Sequence, residues 1–209
     1  MPQIRWEFIW QFRSPLHLGT GLSQPGFADR IIRRNGRGEI EMAGDAVKGA
    51  IRLSAERLVG WSGVSQPAEN DEDSELRHPA LKRIFVNADG RRFRFQPAIA
   101  AVHTFRSAST AIEESTGTAK HDTLRIVENV ASGSEFNVVI TADGPGVSDA
   151  DVELLTVSIL LTAAIGGRRT AGLGQLECKN LTIKGAPPPN AREWAARTIK
   201  YIKETPCIG

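Results

Sequence analysis

Ile165-Gly166-Gly167-Arg168-Arg169-Thr170-Ala171-Gly172-Leu173-Gly174 is the stretch whose reading decides how this chain is put together. Four glycines and two adjacent guanidinium groups lie between an apolar, helix-like segment at 152–165 and a strand-like one at 173–183. Glycines let a backbone approach a ligand and leave N–H groups accessible, and arginine forks match phosphate oxygens. The stretch therefore predicts a helix-to-strand loop that can cradle a phosphodiester backbone. The same residues also read as a helix C-cap at Gly166 followed by a solvated turn. Nucleotide-cofactor motifs do not fit: the run lacks the terminal Lys-Ser/Thr of a P-loop and follows a helix, whereas a dinucleotide fingerprint follows a strand.

Working outward, Ser148 and Asp151 have the spacing of a capping box for the helix that precedes the loop. The turn Asp143-Gly144-Pro145-Gly146 separates that helix from a β-branched strand at 136–141. At the other end of the chain, Ile4, Trp6, Phe8, Trp10 and Phe12 alternate with Arg5, Glu7, Gln11 and Arg13, which predicts a half-buried strand. Asp45 is placed to cap a helix along which Val47, Ala50, Ile51, Ala55 and Leu58 recur at helical spacing. Arg92, Phe93, Arg94 and Phe95 alternate as a further strand. The order strand, helix, strand, strand, helix, strand predicts an α+β, ferredoxin-like (RRM-like) β-α-β-β-α-β core.

Three insertions decorate that core. Residues 61–84 read as an acidic loop insertion, because Glu69-Asn70-Asp71-Glu72-Asp73-Ser74-Glu75 holds five carboxylates. Residues 31–34 and 39–42, around Asn35-Gly36-Arg37-Gly38, read as a short hairpin. Residues 100–127 are rich in Ser, Thr and Gly without a clear period, and predict a projecting, mobile thumb hairpin. One domain is expected over 1–185, with 186–209 as a weakly helical, basic tail that docks on a neighbour.

Length and composition (209 residues, 41% hydrophobic, 24% charged) are those of a soluble globular protein with a sizeable core. No apolar run approaches the roughly 20 residues of a membrane helix, and the N-terminus lacks a signal-peptide layout, so a cytoplasmic protein is expected. Cys178 and Cys207 provide neither a disulfide framework nor a Cys-based zinc site. The net charge of +2 hides an uneven spread. Basic residues gather at Arg30, Arg33, Arg34, Arg37, Lys48 and Arg52, and again at Arg168 and Arg169, a distribution compatible with nucleic acid. Lys48 and Arg52 stand four apart on one helix edge, where they also read as solvated residues with Arg52 pairing Glu56.

Five stretches, in this order, resemble the repeat-associated RNA-binding (RAMP) superfamily of CRISPR effector proteins, above all its type III backbone subunit that lines the guide RNA. They are Pro15-Leu16-His17-Leu18-Gly19-Thr20-Gly21; Ala28-Asp29-Arg30-Ile31-Ile32-Arg33-Arg34; Met42 to Arg52; Thr116-Gly117-Thr118-Ala119 with Glu128-Asn129-Val130, Gly133 and Phe136; and the Gly-Arg loop itself. Two stretches depart from the family pattern. His78-Pro79-Ala80-Leu81-Lys82-Arg83-Ile84-Phe85 stands where members often carry a Cys-rich zinc stretch, so no structural zinc is expected. Ile112-Glu113-Glu114 stands where an acidic residue followed by an arginine is usual.

The resemblance implies that Asp29, on the first loop, cuts target RNA with a divalent cation such as Mg²⁺. RNA carries its own nucleophile, the 2′-OH, so one carboxylate beside a nucleotide held in line suffices. Arg30, Arg33 and Arg34 are expected to keep Asp29 ionised. His17, Gly19, Arg30, Arg33, Lys48, Arg52, Gly167, Arg168, Arg169 and Gly172 are expected to contact RNA, with His17 the general acid or base if the chain instead processes guide RNA on its own. A third reading keeps the assembly and drops the cut. The implied partners are guide RNA, target RNA, copies of this chain and other effector subunits.

Overall fold

The computed structural model describes residues 3–64, 78–86, 92–143, 146–186 and 190–205. Strand β1 (Ile4–Phe12) is central, and Trp6, Trp10 and Phe12 on its inner face are fully buried. Two helices cover that face: α1 (Gly44–Trp61) and α3 (Asp149–Leu161), with α2 (Pro79–Phe85) beside them. The buried Trp6 indole donates to Thr156 Oγ1 at 2.9 Å, fixing the sheet to α3 without leaving a polar atom unpaired.

The sheet has the order β3 (Arg92–Phe95), β7 (Glu135–Asp143), β1, β8 (Leu176–Lys184), and every pairing is antiparallel. Renumbered as the four core strands, this is the 4-1-3-2 order that a split β-α-β fold produces, so the ferredoxin-like expectation holds. On the sheet's other face, ion pairs replace the aromatic comb of ordinary RNA-recognition modules. Glu7 meets Arg5 (2.5 Å) and Lys184 (3.0 Å), Lys179 meets Glu177 (3.2 Å), and Arg94 meets Asp143 (3.2 Å).

Two small sheets sit outside the core. β2 (Ile40–Met42) pairs with β4 (Ala98–Ala100), and β5 (Thr104–Ser109) pairs with β6 (Arg125–Val130) to form the root of the thumb. The expected 31–42 hairpin is present as single bridges, such as Arg34 to Ile40, before β2 turns to β4.

Several boundaries differ from expectation. Residues 79–85 form α2 rather than loop, because Pro79 starts the helix and the His78 ring accepts from the Ala80 N–H at 3.2 Å. The acidic run 69–75 lies outside the described residues. Asp45 is not the N-cap of α1; it lies in the first turn after Ala43, where its charge still suits the helix dipole. The Ser148–Asp151 capping box is formed, but α3 stops at Leu161, four residues early, because Ala164 pairs with Gln175 in extended conformation.

The tail is not a free appendage. Helix α4 (Ala191–Glu204), capped by Asn190, packs on α3 through Trp194, Thr198 and Ile202, spaced four apart and all buried. Arg197 pairs Glu153 at 2.7 Å, and the His78 ring meets the Ile202 carbonyl at 3.2 Å. A stripe of that apolarity has to be covered, and the chain's own core covers it. Among the described residues no helix is long and apolar enough to cross a membrane.

Candidate nucleic-acid interface

The Gly-Arg loop is pinched at its base and held by backbone alone. Ile165 N–H donates to the Gly174 carbonyl (3.0 Å), and Gly174 N–H donates to that of Pro15 (2.7 Å). Gly167 N–H donates to the His17 carbonyl (3.1 Å). Gly174 has φ +71°, and a Cβ there would sit 1.9 Å from the Ile165 oxygen, so this position requires glycine. Gly166 is not a helix cap; at φ +90° it lets the chain pass against His17. Arg168 takes the left-handed conformation (φ +59°) ahead of a single 3-10 turn at Arg169–Ala171. Both arginine side chains are exposed.

Arg169 stands over two adjoining grooves. One, of about 310 Å³, is lined by Gly49, Arg52, Leu53, Glu56 and Gly166 among others. The second, of about 330 Å³, has Arg57, Ser54 and Ala163 in its walls. The expected pairing of the loop with the Arg52 edge of α1 is thus present, although Arg52 also reaches Glu56 at 3.3 Å. Lys48 lines neither groove; it is half-buried on another side of the helix. Arg57 was missed because attention fell on the 48/52 pair, yet it follows Leu53 by four and therefore shares the stripe that faces the loop.

His17 is only 4% exposed, and its Nδ1–H donates to the Glu128 carbonyl at 2.8 Å. Its Nε2 lies where a Cβ on Gly19 would come within 2.7 Å, and its Cδ2 lies near Gly167. A ring packed between two loops in this way cannot reach a phosphate, so His17 supports the interface from beneath. Gly19 and Gly167 are exposed above it and Gly172 (φ +78°) turns the chain after the 3-10 turn.

The segment 29–34 crosses the thumb root. Asp29 N–H donates to the Ile126 carbonyl (2.8 Å), and the Ile126 N–H returns to Asp29 Oδ2 at 2.6 Å. Arg30 is exposed and bridges Val127. The two arginines beyond it are committed elsewhere. Arg33 pairs Glu41 at 2.8 Å, and Arg34 grips Glu128 with both Nη atoms. The expectation that Arg30, Arg33 and Arg34 all attend Asp29 is therefore corrected, as is Arg33 as an uncommitted RNA ligand.

Sequence reading also passed over the role of Glu128, which is 1% exposed. Its carboxylate accepts from the Ile32 N–H (3.0 Å) as well as Arg34, and its own N–H donates to the Arg30 carbonyl (3.0 Å). Burial is the largest single influence on that carboxyl and opposes ionisation. Arg34, Ile32 and Thr104 together outweigh it and hold Glu128 below its ordinary range. Hydrogen bonds thus run without a break from Gly167 through His17 and Glu128 to Arg30, next to Asp29.

Among the described residues no three His, Cys, Asp or Glu side chains gather closely enough to hold a metal ion. Asp29 offers one exposed carboxylate with one oxygen already engaged. A Mg²⁺ bound there would take most of its ligands from water and RNA, which suits an ion that keeps its hydration and uses one or two carboxylates plus phosphates.

A family model described as the RAMP superfamily matches residues 11–177. No curated protein matches the sequence significantly. Among solved structures, the fold is similar to a chain of "Cryo-EM structure of the Type III-B Cmr-beta bound to cognate target RNA", with a TM-score of 0.61 and 13% identity. The likeness covers 87% of this chain and 60% of that one, so this protein spans well under two thirds of the other's length. With most of its length matched by the family model over the elements that build the groove, the loop and the thumb root, the chain belongs to the RAMP superfamily.

Proposed function

We propose that this chain is a guide-RNA-binding backbone subunit of a type III CRISPR ribonucleoprotein, and that it cuts guide-complementary target RNA at Asp29. The observation that carries the binding half is the Gly-Arg loop: two exposed guanidinium groups on a backbone-locked turn, beside grooves edged by Arg52 and Arg57. Such contacts position a sugar-phosphate chain without reading its sequence. Superfamily membership and a fold like that of a chain from a target-bound Type III-B assembly support the same reading. Guide RNA, target RNA, further copies and other effector subunits are the partners it implies, in the cytoplasm.

The cutting half rests on Asp29, an exposed carboxylate fixed at a thumb root. In the reaction proposed, the 2′-oxygen attacks the adjacent phosphorus while the 5′-oxygen leaves. The products are a 2′,3′-cyclic phosphate and a 5′-hydroxyl. Asp29 takes the 2′ proton or orients the water that does. A divalent cation, when bound, supplies charge neutralisation at the phosphate. Arg30 is the one arginine of its cluster without a carboxylate partner among the described residues, and it is placed to face the extra negative charge.

One observation favours a second reading. The 2.6 Å bond from Ile126 to Asp29 Oδ2 is also what a purely structural, loop-tying aspartate makes. A stand-alone processing role through His17 is disfavoured by the burial of its ring. Asp29→Ala in the assembled complex separates the first two. Loss of target cutting with assembly retained supports catalysis, and undiminished cutting leaves only the structural role.

A further inference from the structure

We infer that the cleft beside Asp29 is a receptor for one unstacked nucleobase of the target strand; this rests on the reading of Asp29 as the cutting residue. The cleft measures about 220 Å³ and is lined by Ser23, Gln24, Pro25, Phe27, Asp29 and Ile126, with Gly26 and Ala28 completing it.

In-line attack needs the 2′-oxygen, the phosphorus and the leaving oxygen to align, and a stacked A-form strand does not present that geometry. A strand cut here has to be splayed at the scissile step, and the unstacked base then needs a place to go. The cleft meets that need in size and chemistry. It offers an aromatic ring, apolar Pro25 and Ile126, the hydroxyl of Ser23 and the amide of Gln24, and the Asp29 carboxylate lies on its edge. Single-stranded nucleic acid is held in this way, by a ring to stack on and a few polar groups at the base edge.

The cleft is also preformed. Gln24-Pro25-Gly26-Phe27 is a β-turn with Pro25 second and Gly26 third at φ +74°, closed by Phe27 N–H to the Gln24 carbonyl at 3.0 Å. Gln24 and Ala28 exchange both backbone bonds, at 2.9 and 3.1 Å. Arg106, from the thumb strand β5, lies over the Phe27 ring at 5.1 Å and reaches the Phe27 carbonyl at 3.4 Å. This clamp holds the ring against the thumb root before any RNA arrives. Phe27 acts as a positioning residue: it sets the nucleotide whose phosphate faces Asp29.

The test crosses a protein change with a substrate change. Assembled complexes carrying wild-type chain, Phe27→Ala or Phe27→Leu are given target RNA that is intact, or abasic on the 5′ or the 3′ side of the cut, every ribose retained. Single-turnover cutting of intact RNA falls about ten-fold for Phe27→Ala and less for Phe27→Leu, with target affinity unchanged, a loss of the order of one stacking contact. On one of the two abasic targets that loss disappears, because the base that needed the ring is gone. Equal losses on all three targets would make Phe27 merely structural and overturn the inference. An Asp29→Ala complex in the same series identifies the other failure: if it cuts normally, the reading of Asp29 is wrong and the receptor falls with it.

Discussion

The Gly-Arg loop and the segment 29–34 both look like basic RNA ligands in the sequence, but they are built in opposite ways. In the loop, the backbone does the structural part, through the Ile165–Gly174 pinch and the Pro15 and His17 carbonyls, and Arg168 and Arg169 stay exposed. In the segment 29–34, side chains do it: Arg34 with Glu128, Arg33 with Glu41, and Asp29 with Ile126. A glycine-rich loop leaves its cations available because glycines fold it. A loop without that latitude commits its charged groups to holding itself in place.

The comparison breaks first at Glu128. Replacing it with Ala removes the partner of Arg34 and Ile32 together. Unfolding free energy should drop by about 3 kcal/mol, near the low end for a broken buried pair because Arg34 can partly re-solvate. Denaturant titration measures it, and an unchanged midpoint would mean that the segment holds without its side chains. Because Glu128 is held below its ordinary 4.5, its contribution is present above that pH and is lost as pH falls beneath it. The Glu128→Gln chain should lack that part of the acid sensitivity.

The opposite outcome is expected in the loop. Arg168→Ala with Arg169→Ala should leave stability within about 0.5 kcal/mol of wild type. RNA affinity should fall, and the plot of log affinity against log salt should become shallower by about 1.4, the share of two phosphate contacts on a single strand. An unaltered slope in a salt series would show that these arginines touch no phosphate.

The smallest effect separates both regions from the rest of the fold. The His78 ring accepts from Ala80 through Nδ1 and meets the Ile202 carbonyl through Nε2, so only the neutral Nε2–H form serves both. Burial pushes its pKa below the ordinary 6.5, against opposing bonds from Ile202 and Thr205. A depressed base contributes stability above that value and loses it as pH falls below 6.5. The α2–α4 contact should therefore loosen modestly under mild acid, with hydrogen exchange of α4 rising while the Gly-Arg loop is unaffected. His78→Gln should flatten that response.

How much was legible in the chain follows from which interactions are local. The β1 alternation, the Ser148–Asp151 capping box and the helix–glycine–strand order are written within a few residues each, and together they yield the core topology. Helix α2 was hidden because its cap is a histidine ring, a rare substitute for Ser or Asp, although Pro79 marked its start. Strands β2 and β4 have three residues each, too few to show a period. At the interface, the arginines could be seen but not their availability. The partner of Arg34 lies 94 residues away, and nothing near either residue announces the pair. Asp29, by contrast, is exposed and stands in a built loop, as its position in the family-like stretch implied.

The central claim is a division of labour, in which the Gly-Arg loop binds and Asp29 cuts. Single-turnover target cleavage by complexes carrying either Asp29→Ala or the Arg168/Arg169 double change, at saturating guide and target RNA, tests it directly. The account predicts that Asp29→Ala binds target but leaves it intact, while the double-arginine complex, once saturated, cuts at the wild-type rate. A cutting Asp29→Ala complex, or a saturated double-arginine complex that cannot cut, would contradict it.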